Sequence, residues 1–249
     1  METADFLQTL DREGRLLAAA AEEAGTEAKV PTCPEWQVRD LLRHTGAVHR
    51  WATGIVADGH TAPRPFGDLP DLDGAELVTW YRDSHRRLVD TLAAASRDLD
   101  CWTFHPAPSP SPLAFWTRRQ AHETAVHRYD AESARGGTPS PIATEFAVDG
   151  IDELLRGFHA RARSRVRTDG PRVLRVRAAT DADGCEGAVW TVRLSAEPPV
   201  TTPDEAGEAD AELAGPADRL YLALWNRQPL PRVTGDAALA ALWRETSAI

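Results

Sequence analysis

The sequence lacks the features of a membrane protein and of a disulfide scaffold. None of its 249 residues belongs to a run of the roughly 18 consecutive apolar positions that a membrane helix needs. The first residues are acidic, and no apolar region of a signal peptide follows them. The three cysteines, Cys33, Cys101 and Cys185, form no CxxC pair, and an odd number suits a reducing compartment. We therefore expect a cytoplasmic protein without a membrane partner.

Positive charge is also scarce in this chain. Asp and Glu number 38 against 28 for Lys and Arg, the net charge is −10, and Lys29 is the only lysine. Nucleic acids and anionic membranes require a positive surface, so the composition argues against both as partners. The arginines between residues 156 and 177 indicate either a phosphate-binding patch or solvent-exposed helix and strand positions. Their alternation with apolar residues favours the second interpretation.

Residues 1–164 are predicted to form a helical domain. Apolar residues recur at helical spacing in four segments of about twenty residues, and prolines or glycines interrupt the chain between them. Helices of this length joined by loops favour an antiparallel four-helix bundle. The predicted helices span about 3–24, 38–56, 74–95 and 113–134, with a further helix at about 142–163.

Residues 165–249 are predicted to form a small α+β domain, which places the whole chain in the α+β class. Two segments, 172–180 and 188–196, alternate apolar and polar residues with the period of half-buried strands. The residues at 181–184 have the chemistry of a turn between them. The expected domain also has a third strand near 211–213, a helix that opens at Gly215-Pro216 and a last helix from about Asp236.

One predicted helix carries residues with the spacing of metal ligands. Glu123 and His127 are four positions apart, so their side chains project from one face of the helix, about a turn apart. A third ligand has to come from another helix. His44 is the best candidate, because it lies in mid-helix on the apolar stripe of Leu41 and Val48, where a polar group needs a partner. Two histidines and one carboxylate leave coordination positions open, which suits catalysis.

The same residues also allow a structural interpretation. Glu123 could pair with Arg119 at the surface while the core satisfies His127, and the spacing alone leaves both interpretations open. His122 points to a different face of the helix and is interpreted either as structural or as a residue that supports the ligands without binding the metal. Cys33, in a proline-flanked loop, is interpreted as a small buried apolar residue.

The chain has no GxSxG, GxxxxGK[ST] or GxGxxG motif, so the usual signatures of α/β-hydrolases, P-loop proteins and dinucleotide-binding domains are missing.

Several segments resemble one known family. Residues 30–51, VPTCPEWQVRDLLRHTGAVHRW, resemble the VPTCPGWTVRDLVAHLGGVHRW signature of the mycothiol-dependent maleylpyruvate isomerase family, which lies within the DinB-like superfamily. Residues 119–130 match that family's R-x-x-H-E-x-x-x-H-R-x-D segment, and residues 215–227 and 233–239 look like its small, sterol-carrier-like C-terminal domain. The resemblance covers nearly the whole chain in the right order. Glu35 departs from the pattern, because glycine is usual there.

The resemblance implies a DinB-like four-helix bundle that binds a divalent ion, usually zinc, through His44, Glu123 and His127. It also implies mycothiol, a thiol of actinobacteria, as the cosubstrate for a small-molecule electrophile. The near absence of lysine indicates a high-GC genome and suits such a host. Arg227 matches a family arginine and is expected to bind a carboxylate, and His49 is a candidate proton donor. We expect a monomer or a weak homodimer.

The resemblance leaves the type of reaction open. A thiolate is expected to add to an electrophilic carbon, and the enzyme would be an isomerase or a thiol S-transferase. A metal-dependent hydrolase that uses ion-bound water would need the same ligands. In a further alternative, the C-terminal domain of a non-catalytic protein holds an apolar ligand. The three ligands in the expected order favour an enzyme over this last alternative.

Overall fold

The computed structural model describes residues 1–104, 110–180 and 187–247, so the predicted turn at 181–184 and Cys185 lie outside the described residues. Local sequence explains the helix ends. The hydroxyl of Ser111 accepts a hydrogen bond from the Ala114 amide at the start of a helix, and Gly25 and Gly136 end two helices with φ of 81° and 86°. The four long helices confirm the sequence prediction: α1 (Thr3–Ala24), α2 (Val38–Ala57), α3 (Gly74–Ala94) and α4 (Pro112–Arg135).

Side-chain contacts give the directions of these four helices. Along α2 and α4, the contact of His44 with Glu123 is followed by that of Trp51 with Trp116, so these helices run antiparallel. Contacting positions rise together along two other pairs, α1 with α4 and α2 with α3: Phe6–His122 and Glu13–Arg128, then Gly46–Trp80 and Arg50–Ser84. The bundle therefore has an up-down-down-up order, in which the connection at residues 58–73 joins two parallel helices.

The interior of the bundle is apolar. Leu17, Leu41, Leu42, Leu77 and Tyr81 are fully buried in one cluster. Burial of a leucine side chain contributes about 1.5–3 kcal/mol, so this cluster is a major source of stability. Within the part of the chain that the structure describes, no helix combines the length and the apolar character that crossing a bilayer requires.

A mixed sheet dominates the C-terminal part of the chain. The described strands lie in the order β3-β2-β1-β4-β5, with β1 antiparallel to β2 and parallel to β4. They are β1 (Arg172–Ala179), β2 (Gly187–Leu194), β3 (Val200–Thr202), β4 (Ala211–Pro216) and β5 (Arg232–Gly235). The accompanying helices are α5 (Thr144–Glu153), α6 (Ala217–Leu224) and α7 (Ala237–Thr246). The α+β class and three of the strands are thereby confirmed, whereas β3 and β5 are edge strands that the sequence analysis missed.

Two differences from the sequence prediction concern the segment around α5. A π-helical turn, Leu154–Phe158, continues α5 and ends the predicted helix five residues before position 163. Contacts divide the chain into two compact units, residues 1–104 with 110–140 and residues 141–180 with 187–247. This division falls after Ser140, while the sequence places it near residue 165. The reason is that α5 packs within the second unit, where the ring of Phe146 lies 6.3 Å from that of Tyr221.

The three arginines of β1 are paired with acidic residues. Arg177 contacts Glu205 at 2.7 Å and Glu212 at 3.3 Å, and Arg172 pairs with two aspartates. Arg175 is only 7% exposed and donates to the carbonyl of Gly207, which corrects the expectation that it lies on a solvent-exposed face. Because carboxylates and carbonyls already engage these guanidinium groups, the structure gives no support to a phosphate-binding patch on the strands.

The buried imidazole of His159 is expected to make the protein less stable in mild acid. It is 2% exposed, its Nδ1 lies 3.1 Å from the Ser164 hydroxyl, and burial lowers its pKa to about 4. The folded state therefore resists a proton that the unfolded chain accepts near pH 6.5, so stability falls as the pH drops from about 6.5 towards 4. Across this pH range the free energy of unfolding should fall by on the order of 3 kcal/mol because of His159. In urea unfolding at pH 7 and pH 4.5, His159→Asn should lose less stability on acidification than the wild type, and equal losses would contradict this.

Candidate metal centre

Three side chains meet where α2 crosses α4. Glu123 Oε1 lies 3.2 Å from His44 Nε2 and 3.3 Å from His127 Nε2. One donor atom from each residue falls within 4.8 Å of the other two. The four-residue spacing on α4 brings Glu123 and His127 to one face, and the antiparallel packing of α2 adds His44. These are the three residues that the sequence analysis selected.

The geometry of this cluster suits a divalent cation. Zinc binds imidazole nitrogen at about 2.0–2.1 Å and carboxylate oxygen at about 2.0–2.2 Å, and tetrahedral bonds of about 2.0 Å place neighbouring ligand atoms about 3.3 Å apart. The two contacts to Glu123 Oε1, 3.2 and 3.3 Å, have this spacing. The side chain of His44 is 37% exposed, and that of His127 is 9% exposed. The cluster is therefore reachable from solvent on the side of His44, where a fourth ligand could bind.

Charge around the cluster is arranged to keep Glu123 ionised. Burial would raise the pKa of Glu123, but hydrogen bonds from His127 and His44, with the charges of His127 and Arg119, hold it well below its usual value. Arg119 is itself buried, and its Nη2 lies 3.2 Å from the second carboxylate oxygen, Oε2. The Arg119–Glu123 pair of the structural interpretation is thus present, but it is part of the cluster. Because Arg119 contacts Oε2, the other oxygen of Glu123, Oε1, faces the two histidines.

His127 lies between two carboxylates. Burial would lower its pKa, but hydrogen bonds to Asp130 and Glu123 and the charges of both raise it above the usual value. Its Nδ1 lies 2.9 Å from Asp130 Oδ2, while its Nε2 faces Glu123. Two negative groups around one imidazole favour positive charge at this place, whether it is a proton or a metal ion.

The segment Val30–Trp36 contributes residues that the sequence analysis gave no role. The Val30 amide donates to the Trp36 carbonyl at 3.0 Å, and Thr32 Oγ1 donates to Asp130 Oδ1 at 2.6 Å. The Trp36 ring lies 5.1 Å from the ring of His44 and stacks at 6.0 Å on that of His127. The spacing of three between His127 and Asp130 was one signal, and the two family motifs, which include Asp130 and Thr32, were another. Neither signal pairs Asp130 with Thr32, because the two residues are 98 positions apart.

The other candidate residues lie outside the cluster. His49 is fully buried: its Nε2 lies 2.9 Å from Thr124 Oγ1, and its ring packs 5.6 Å from that of Tyr81. Burial, followed by the nearby His85, lowers the pKa of His49 well below its usual value, so the imidazole is neutral. His122 is buried against Phe6, with ring centroids 5.8 Å apart, as expected for a structural residue.

The sequence analysis also made predictions for Cys33 and Arg227. Cys33 is only half-buried and its Sγ lies 3.8 Å from Asp130 Oδ2, which corrects its interpretation as a buried apolar residue. Arg227 lies in the second unit after α6, where its Nη1 donates to the Trp225 carbonyl at 2.9 Å. Its role in binding a carboxylate stays a prediction.

Fold and site define a two-unit protein, a helical bundle with a candidate metal centre and an α+β unit. The family model of the mycothiol maleylpyruvate isomerase N-terminal domain matches residues 7–132, and the model described as the MDMPI C-terminal domain matches residues 145–242. The chain therefore belongs to the mycothiol maleylpyruvate isomerase family, as the sequence motifs implied.

Solved structures support the same fold. The crystal structure of the mycothiol-dependent maleylpyruvate isomerase superposes with a TM-score of 0.59 at 14% identity, over 94% of this chain and 92% of that one. A histidine-to-alanine mutant of that enzyme gives a TM-score of 0.61 at 13% identity, over 92% and 90% of the two chains. A comparison with curated proteins gives no match.

Proposed function

We propose that this protein is a metal-dependent isomerase that uses mycothiol to act on a small electrophile with a conjugated double bond. One observation carries the proposal: the 3.2 and 3.3 Å contacts of Glu123 Oε1 with His44 and His127 match neighbouring ligands of one ion. Membership of the mycothiol maleylpyruvate isomerase family supports mycothiol as the cosubstrate and isomerisation as the reaction. We further propose that the protein works in the cytoplasm, where low-molecular-weight thiols stay reduced.

The chain's own residues would hold the metal ion. His44, Glu123 and His127 would hold a divalent ion, most simply zinc, and such an ion would lower the pKa of a thiol and so favour the thiolate. Arg119 keeps the second oxygen of Glu123 occupied, so that only one oxygen is directed at the histidines. The exposed edge of His44 is the side from which the thiol approaches.

The reaction that we propose leaves the thiol unchanged overall. The thiolate sulfur forms a bond to one alkene carbon, and the π electron pair moves into the conjugated carbonyl. The former double bond is now single and rotates. The electron pair then returns, the double bond re-forms in the other geometry and the carbon–sulfur bond breaks. Nothing is oxidised or reduced, so no further reactant is needed.

Two residues outside the cluster belong to this proposal with separate roles. Arg227 is proposed to bind a substrate carboxylate through its planar guanidinium group. His49, the candidate proton donor, is neutral because burial lowers its pKa, so we propose that it donates an N–H hydrogen bond to the carbonyl oxygen that receives the electron pair.

The proposal predicts thiol-dependent isomerisation. The purified protein, loaded with zinc, is incubated with and without mycothiol and a panel of cis-configured conjugated acids that includes maleylpyruvate. Proton NMR should detect the trans isomer only when both zinc and mycothiol are present, with the thiol recovered intact. Mass spectrometry of the same samples separates the alternatives. A stable conjugate would indicate an S-transferase, substrate loss without thiol would indicate a hydrolase, and unchanged substrates throughout would contradict the proposed activity.

A further inference from the structure

We propose that Asp130 is a positioning residue of the metal centre and that the segment Val30–Trp36 holds it in place. The inference rests on the proposed function, because it concerns the same metal ligands. What it adds is a hydrogen-bonded connection, through Asp130, between the loop before α2 and His127 on α4. In this arrangement the loop sets the affinity for the metal without contributing a ligand.

The first part of the argument concerns the tautomer of His127. Asp130 is fully buried three positions after His127, and its Oδ2 lies 2.9 Å from His127 Nδ1. An ionised carboxylate only accepts hydrogen bonds, so Nδ1 must carry the hydrogen. When His127 is neutral, its lone pair is then confined to Nε2, the atom that faces Glu123. A carboxylate behind a ligating histidine also makes the imidazole a stronger donor to the metal.

The second part concerns the other oxygen of Asp130. Thr32 Oγ1 donates to Oδ1 at 2.6 Å, so the two carboxylate oxygens have different partners and the group has one preferred rotation. Without the hydroxyl of Thr32, Oδ1 would lose this hydrogen bond, and the carboxylate would be less restrained against turning away from His127. Cys33 Sγ adds a weaker contact to Oδ2 at 3.8 Å. The loop thus controls the residue that orients the ligand.

The loop is itself fixed against both histidines. Its ends are joined by the hydrogen bond from the Val30 amide to the Trp36 carbonyl, and Lys29 and Gln37 form an isolated bridge beside it. Trp36 then packs its ring on those of His44 and His127. Thr32 and Trp36 therefore restrain His127 from two directions, one through Asp130 and one by direct stacking.

Zinc affinity tests this inference with a matched pair of variants at Thr32. Thr32→Val removes the hydroxyl at similar volume, whereas Thr32→Ser keeps it. Competition with a chromophoric chelator should give a zinc affinity that falls in Thr32→Val and is close to the wild type in Thr32→Ser. Asp130→Asn keeps the shape but removes the charge, and we expect a loss within the range of about 10- to 100-fold that supporting residues of metal ligands show. Wild-type affinity in folded Thr32→Val and Asp130→Asn would overturn the inference.

A second measurement keeps this inference separate from the proposed activity. In the metal-free protein at alkaline pH, ¹⁵N NMR of labelled histidine should find the hydrogen of His127 on Nδ1 in the wild type and Thr32→Ser. In Asp130→Asn the Nε2 tautomer should gain population. A purely structural role of Asp130 would lower thermal stability without moving this signal and would contradict the inference. If zinc binds as expected and no thiol-dependent reaction occurs, the proposed function fails while the positioning role stands.

Discussion

Replacement of Glu123 by alanine is expected to remove both the bound metal and the thiol-dependent reaction. Its Oε1 contacts both His44 and His127, so its loss leaves the two imidazole nitrogens without the anionic ligand. A metal acting as a Lewis acid contributes several kcal/mol to a transition state, and each 1.36 kcal/mol is a factor of ten in rate. We therefore expect kcat/KM to fall on the order of 10³-fold. Elemental analysis of the purified variant measures the metal.

The helix that carries Glu123 also supplies a control for this experiment. His122→Ala removes a buried imidazole from the adjacent position on α4, where it packs against Phe6 and lies outside the cluster. It is expected to keep the metal even if it lowers the melting temperature. His44→Ala and His127→Ala should behave like Glu123→Ala. Equal metal content in the wild type and all three ligand variants would show that these residues do not form the metal site.

The long helices could be predicted because their signals are local and strong. The prediction for α1 has the bounds that the structure shows, since apolar spacing and Gly25 define both ends within one segment. The edge strand β5 has no such signal: all four of its residues, Arg232–Gly235, are exposed, so no alternation of burial can mark it. The parallel pairing of β1 with β4 is also invisible locally, because partners such as Val176 and Leu213 are far apart in the chain.

All three candidate ligands could be selected on the same grounds. The pair Glu123 and His127 follows from helical periodicity alone, and His44 follows from its polar character on an apolar stripe. His49, five positions later on α2, also lies within the bundle but contacts Thr124 and Tyr81 instead. What separates the two histidines is the way in which α2 packs on α4, a long-range property. For that reason the sequence also gave no role to Asp130, whose partner lies in a distant loop.

Replacement of Arg128 by methionine is expected to destabilise the bundle by about 3–5 kcal/mol, the usual loss when one member of a buried ion pair is removed. Arg128 is fully buried and binds two buried carboxylates, with its Nε 2.6 Å from Glu13 Oε2 and its Nη1 2.7 Å from Glu132 Oε2. Methionine fills part of the volume but leaves both carboxylates without their buried cation. Urea unfolding of the full-length variant at pH 7 measures the loss.

A second arginine on the same carboxylate provides the control. Arg12 also contacts Glu13, at 2.8 Å, but its side chain is 55% exposed, and exposed pairs contribute about 0–1 kcal/mol. Arg12→Met should therefore change stability little. The triple variant Arg128→Met, Glu13→Gln, Glu132→Gln should recover part of the loss, because it removes the uncompensated charges as well. If Arg12→Met and Arg128→Met had equal effects, burial would not be the cause.

Arg128 follows directly after the ligand His127, yet the two side chains lead to different parts of the molecule. His127 faces α2 and the loop at Val30–Trp36, while Arg128 ties α4 to Glu13 on α1 and to the Ser140 carbonyl at 2.6 Å. A folded Arg128→Met protein at low temperature should therefore still bind zinc with close to wild-type affinity. Loss of zinc in that folded variant would mean that the anchoring of α4 to α1 is needed to hold the ligands together.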